Sequence, residues 1–303
     1  MGNSVTNPIK ADHFINFSSP AKLNLFLHIN ERRKDGYHEL QTLFQFLDHG
    51  DKIAIKVDDN DTIELLTIFS EVNSADNLII KAAQLLKTEA LKCGIKKQYG
   101  AKIKIDKVLP MGGGLGGGSS NAATTLLALN YLWNINFSID KLADLGLMLG
   151  ADVPVFIRGF AAFAQGVGDK LTPAKPKEYW YLVTKPHCSI STAEIFNAQA
   201  LTRNTAKLEL SEIDFKLCHN DCQPIATKLY PEVAKLLAWL LEYAPSRMTG
   251  TGACLFSRFD TQAEALLLQD KLQIHFPDGI YSFVAKGLNQ SPLVKQIAAL
   301  KNK

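Results

Sequence analysis

Residues 109–133 read LPMGGGLGGGSSNAATTLLALNYLW. Six of the seven positions from Gly112 to Gly118 are glycine. Glycine loses more conformational freedom on folding than any other residue, so such a run needs a physical reason. Close approach of a large anion supplies one. Without side chains, consecutive backbone N–H groups converge on phosphate oxygens. The run feeds an apolar helix, whose unpaired N–H groups and positive dipole end add to the attraction. Ser119, Ser120 and Asn121 stand where that helix begins, and their side chains suit a cap, a phosphate or a metal. A flexible linker is the bland alternative, but Gly/Ser linkers are rarely followed by a strong apolar helix.

The common phosphate loops fit poorly. Gly112, Gly114 and Gly117 match G-x-G-x-x-G, as any glycine-rich run does. A dinucleotide fold wants a buried apolar strand before the loop and an acidic residue about 20 positions beyond it. Here the preceding strand is half polar and broken by Pro110, and Asp140 opens a helix. A Walker loop needs Gly-Lys-Ser/Thr, and no lysine lies in the run. Protein-kinase catalytic-loop signatures are absent. Spacing alone therefore reaches a phosphate cradle on a helix N-terminus and stops there.

Outward from the loop, the chain mixes strands and helices. In AKLNLFLHI, Leu23, Leu25, Leu27 and Ile29 alternate with Lys22, Asn24, Phe26 and His28, the period of a strand. The first set is expected to face the core, with Lys22 and Asn24 together on the other side. Asp35-Gly36 marks a hairpin turn. Ile53, Ile55 and Val57 predict a second strand, 76–92 a helix capped by Asn77, and Ala101, Ile103 and Ile105 a further strand. A helix over 138–149 stops at Gly150, and Val153-Pro154 is expected to hold the chain extended after Asp152. Beyond a Pro/Lys-rich connection at 171–178 come a strand at 180–184, a helix opened by Ser191-Thr192, helices at 230–243 and 261–273, and a last strand, YSFVAKG. Residues 1–16 read as a loose leader. The fold class is α/β (α+β). Its 303 residues suggest about two domains, placed at 1–165 and 166–303.

Composition excludes several classes. With 47% apolar and 21% charged residues the chain is globular, and a formal charge of +3 argues against a dedicated nucleic-acid binder. No apolar run approaches the ~20 residues that span a bilayer, and the opening residues lack the apolar core of a signal peptide. Met1-Gly2-Asn3 with Thr6 grazes a myristoylation pattern without polybasic support. Five scattered cysteines fit reduced thiols and a cytoplasmic setting, and Cys218 with Cys222 lacks the second pair a zinc site wants.

Three stretches together say more. SPAKLNLFLHINERRKDGYHEL at 19–40, LPMGGGLGGGSSNAA at 109–123 and SRMTGTGAC at 246–254 resemble the three signature motifs of the small-molecule kinases that include galactokinase, homoserine kinase, mevalonate kinase and phosphomevalonate kinase. DGYH upstream and GADVPVF downstream bring the resemblance nearest to members whose alcohol carries a cytidine diphosphate.

The resemblance implies a two-domain fold with the active site in the interdomain cleft, and transfer of the γ-phosphoryl group of ATP, with Mg²⁺, to an alcohol. It implies that Lys22 and Asp152 are catalytic, Asp152 accepting the hydroxyl proton and Lys22 stabilising its charged form. Pro110, Met111, Gly112, Gly113, Gly114, Leu115, Gly116, Gly117, Gly118, Ser119 and Ser120 would hold the ATP phosphates. Asn24, Tyr37, His38, Phe196, Thr192, Gly250, Thr251 and Gly252 would meet the substrate, with Tyr37 and Phe196 on the two sides of the base and His38 bonded to it. Thr192 is weighed chiefly as a helix cap. Ser119 and Ser120 are the side chains weighed for magnesium, with its ligands otherwise open. A small-molecule substrate, no nucleic acid and no membrane are the expected partners. The rivals are a sister kinase for a simple alcohol, which needs no base-stacking segment, a non-catalytic ATP-dependent sensor, which loss of Lys22 or Asp152 would indicate (neither is lost), and a nicotinamide dehydrogenase.

Overall fold

A computed structural model describes residues 13–68, 76–95 and 99–302. Two strand systems meet where the last strand joins the second. The first holds β1 (Ile15–Arg32), β2 (His38–Asp58), β3 (Ile63–Leu65), β4 (Gly100–Asp106), β5 (Ala162–Gln165) and β6 (Lys170–Pro173). Helices α1 (Leu78–Lys92), α2 (Gly117–Leu132), α3 (Ile139–Leu149) and α4 (Val153–Arg158) belong with it. The second contains β7 (Trp180–Lys185), α5 (Thr192–Asn197), α6 (Gln223–Leu229), α7 (Pro231–Leu241), β8 (Ser246–Met248), β9 (Leu255–Phe259), α8 (Gln262–His275) and β10 (Tyr281–Leu288). The last two residues of β10 join β2 through Gly287↔Leu47 and Leu288↔Phe46, giving the order β3-β4-β2-β10-β7-β9-β8. These strands pair antiparallel except where β3 runs parallel to β4. A closing helix, α9 (Pro292–Lys301), returns to the first half, with Leu293 and Ile297 in its core. Position 165 falls inside the β5–β6 hairpin, and the second sheet begins at Trp180.

Local signals explain most elements. Asn77, Ser138 and Thr261 each accept a backbone N–H from the first turn of the helix that follows, which satisfies donors the helix leaves free. The turn at Asp35-Gly36 closes the β1–β2 hairpin, with Arg32 opposite His38.

Four expectations need correction. Strand β1 begins at Ile15, inside the stretch read as a leader; residues 1–12 lie outside the described residues. The alternation in β1 breaks, because its register against β2 shifts between Asn24 and Leu27. Leu23, Leu25 and Phe26 therefore share one cluster, while Leu27 and Ile29 belong to another. A bulge exchanges the faces of a strand. Val153-Pro154 opens helix α4 and does not extend the chain, since the fixed φ of proline suits the first helical turn, where its missing N–H has no partner to lose. Finally, α6 and α9 carry segments that had no predicted helix, and β10 does not finish the chain.

Candidate active site

The three glycine-bearing motifs are zipped to each other by backbone bonds. Lys22 N–H donates to the Leu115 carbonyl at 3.0 Å, and the Ala253 and Cys254 N–H groups donate to the Gly112 and Gly113 carbonyls at 3.2 Å each. A cleft of about 660 Å³ lies along this seam, lined from Asn77 past the glycine loop to Asp152 and on to Phe196 and Gly250–Gly252. Gly112, Gly114 and Gly116 take left-handed φ values of 61, 73 and 71°, an alternation that turns successive N–H groups inward. Gly116 stands at the N-cap of α2 and no side chain caps that helix. Its positive end stays open to an anion.

Lys22 and Asp152, 130 positions apart in sequence, meet at the end of this loop. The Lys22 ammonium lies 3.1 Å from Asp152 Oδ2, and donates to Asn24 Oδ1 at 2.5 Å and to the Gly114 carbonyl at 3.0 Å. An ammonium has three donors, and here three acceptors are in place. The lysine is 2% exposed, so these partners offset the cost of burying its charge. Asp152 is a third exposed through its side chain and faces the cleft.

Comparison with known proteins identifies the arrangement. Residues 77–160 match the family described as GHMP kinases N terminal domain, and residues 198–278 match GHMP kinases C terminal. A 4-diphosphocytidyl-2-C-methyl-D-erythritol kinase of Colwellia psychrerythraea is 61% identical over 291 residues, 94% of each chain. One from Shewanella woodyi is 55% identical over 287 residues, 94% of this chain and 98% of the other. The chain belongs to the GHMP kinases. A crystal structure of a 4-(cytidine 5'-diphospho)-2C-methyl-D-erythritol kinase superposes with a TM-score of 0.76 at 28% identity, covering 90% of this GHMP kinase and 99% of that chain.

On the far side of the cleft, Phe196 stacks on His38 with centroids 5.0 Å apart and planes at 23°. Arg203 fixes both: its Nε donates to His38 Nε2 at 3.1 Å and Nη2 donates to the Phe196 carbonyl at 2.9 Å. Burial, followed by the Arg203 and Arg32 charges, lowers the His38 pKa and favours the neutral ring. Tyr37, expected beside it, is 66% exposed at the hairpin tip and does not line the cleft. Thr192 is not the cap of α5. Ser191 Oγ accepts the Glu194 N–H, and Thr192 Oγ1 lies 3.0 Å from Thr251 Oγ1 in the cleft wall. Ser119 lines the cleft, but Ser120 is fully buried and bonded to Ser19. Gly250 is held from behind, its carbonyl accepting from Asn220 Nδ2 at 2.8 Å.

Several contributors gave no signal in the sequence. Thr249 Oγ1 accepts the Asn24 N–H at 2.9 Å and lies 3.3 Å from the Gly114 carbonyl, joining all three motifs at one hydroxyl. Thr42 Oγ1 accepts from Asn24 Nδ2 at 2.9 Å, which points the Asn24 carbonyl at Lys22. Lys107 lines the cleft beside the glycine loop. Among the described residues no three His, Cys, Asp or Glu side chains gather as a metal cage. Cys218 and Cys222 are buried free thiols, and burial pushes the pKa of Cys222 up to about 12. No helix among the described residues is long and apolar enough to cross a membrane.

Proposed function

We propose that this GHMP kinase transfers the γ-phosphoryl group of ATP to the 2-hydroxyl of 4-diphosphocytidyl-2-C-methyl-D-erythritol, a step of non-mevalonate isoprenoid precursor synthesis. The observation that carries the reading is the Lys22–Asp152 pair at 3.1 Å, at the end of a glycine loop and within a cleft that also reaches Phe196. The names of the relatives at 61% and 55% identity point to the same alcohol.

The ATP phosphates lie along Pro110–Ser119 against the α2 N-terminus, and the alcohol enters between Asp152 and the Gly250–Gly252 loop. Asp152 takes the hydroxyl proton as the oxygen attacks phosphorus and the bond to the ADP oxygen breaks. Lys22 holds Asp152 in place and faces the charge on the transferring group. Phosphoryl transfer has a loose transition state, so positioning and electrostatics carry most of the rate. Phe196 supplies the aromatic wall for the cytosine, and His38, which does not line the cleft, stacks against it. The donor set facing the phosphates, the Ser119 hydroxyl and the Asp152 carboxylate, suits a hard cation that keeps most of its ligands from phosphate and water. Mg²⁺ bound there would neutralise phosphate charge.

An ADP-release assay with a panel of alcohols tests the reading. Turnover confined to the cytidyl methylerythritol substrate is expected. Preference for homoserine or mevalonate would replace it with a sister activity.

A further inference from the structure

Asp51 is a carboxylate buried to 1% exposure inside β2, in register with Ser19 of β1. Its two oxygens do different work. Oδ1 accepts the Val108 and Leu109 N–H groups at 2.9 and 2.8 Å, fixing the chain just before Pro110. Oδ2 accepts from Lys107 Nζ at 2.6 Å. A neutral side-chain oxygen would satisfy the two amides. The lysine is the opposite charge that pairs with the buried carboxylate, and an unpaired ion in the interior is costly.

The place of that lysine is informative. Lys107 lines the cleft, and its Nζ stands 3.1 Å from where a Cβ on Gly117 would be. Gly117 is the first residue of α2. Lys22 stands over the preceding residue: its Cε lies 3.0 Å from the corresponding position on Gly116. The two ammonium-bearing chains thus flank the start of α2. A cation at the positive end of a helix is unfavourable for the empty protein. Asp51 offsets that penalty, and an anion arriving on the loop reverses it. Without Asp51 the long lysine stem would be free to sample other rotamers.

We infer that Asp51 is a positioning residue for nucleotide binding: it holds the Lys107 ammonium ready over the α2 N-terminus for bound ATP. The inference rests on the cleft being the ATP site.

Asp51→Asn separates the two roles, because the amide keeps one oxygen for the Val108 and Leu109 N–H groups and loses the acceptor for Lys107. Calorimetric titration with ATP should show a dissociation constant raised roughly 10–150-fold, the worth of a charge-assisted contact. The KM for the alcohol and kcat at saturating ATP should stay within about twofold. Lys107→Met should weaken ATP to a similar degree, Lys107→Arg should restore much of the affinity, and Asp51→Asn combined with Lys107→Met should be no worse than Lys107→Met alone, the mark of one shared interaction. Unchanged ATP affinity in Lys107→Met overturns the inference even where Asp51→Asn folds poorly. So do additive losses in the double variant, or equal losses in kcat and in both KM values from Asp51→Asn. Wild-type protein that binds ATP but phosphorylates none of the alcohols would sink the proposed activity and leave this inference standing.

Discussion

Gly116→Ala tests whether the glycine loop is a packed device or a pliable one. Gly116 has φ +71°, and a methyl there would sit 2.9 Å from Phe156 Cζ and 3.0 Å from Lys22 Cε. Phe156 lies inside the first core cluster and Lys22 is pinned by three acceptors, so neither retreats freely. The left-handed backbone costs alanine about 1–2 kcal/mol, and overpacking adds about 1–3 kcal/mol. The sum is about 2–5 kcal/mol, and at roughly 2 °C per kcal/mol for a chain of this length Tm should fall by about 4–10 °C. Gly94→Ala provides the reference, because Gly94 has φ +78° with open space around its Cβ. It carries the backbone cost alone, about 2–4 °C. Activity separates the pair further. Relief of the clash through Lys22 moves its ammonium off Asp152, and a misplacement of about 1 Å costs on the order of 10² in rate. Thermal melts and steady-state kinetics at saturating substrates would measure both effects. Equal Tm losses in the two variants, with full turnover in Gly116→Ala, would refute the packing argument.

Other outcomes follow from the same geometry. Asp152→Asn should lower kcat by about 10²–10⁴, the usual worth of a general base, and near-normal turnover would remove Asp152 from proton transfer. Phe196→Ala should raise KM for the cytidyl substrate about 5–150-fold with a smaller change in kcat, because stacking contributes roughly 1–3 kcal/mol per base; an unchanged KM in initial-rate assays would count against the aromatic wall. His28 is buried against His219, and burial first, then that neighbour, lowers its pKa from 6.5 to about 4. The unfolded chain therefore takes up a proton between those values that the folded chain refuses. Stability should be complete above pH 6.5 and fall by up to about 3 kcal/mol as pH drops toward 4. Urea unfolding of His28→Gln across that range should show a shallower slope; an undiminished slope would assign the pH dependence elsewhere.

What was legible in the sequence was mostly local. A cap such as Asn77 acts within three residues, and its chemistry is written beside the helix it starts. The motif at 109–123 was legible because six glycines in seven positions have few uses. Spacing could not bring Lys22 to Asp152, since that meeting depends on how β1, α2 and α4 pack; only the family resemblance suggested it. Thr42 and Thr249 are ordinary threonines until the fold points both hydroxyls at Asn24. Reading Pro154 as an extended signal failed because proline constrains both the residue before it and the helix it opens, and here the second effect won. Tyr37 and Thr192 show the converse: the motif places them near the site, but the hairpin tip and the Ser191 cap decide where each side chain stands.

The return of α9 to the first half has a consequence for how the protein is made. Leu293 and Ile297 complete a core whose other members come from residues 17 to 164. A ribosome therefore delivers the chain through Ile297 before the half that carries the glycine loop can close its interior. Copies terminated before Leu293 leave that apolar gap open and its lining side chains exposed to water.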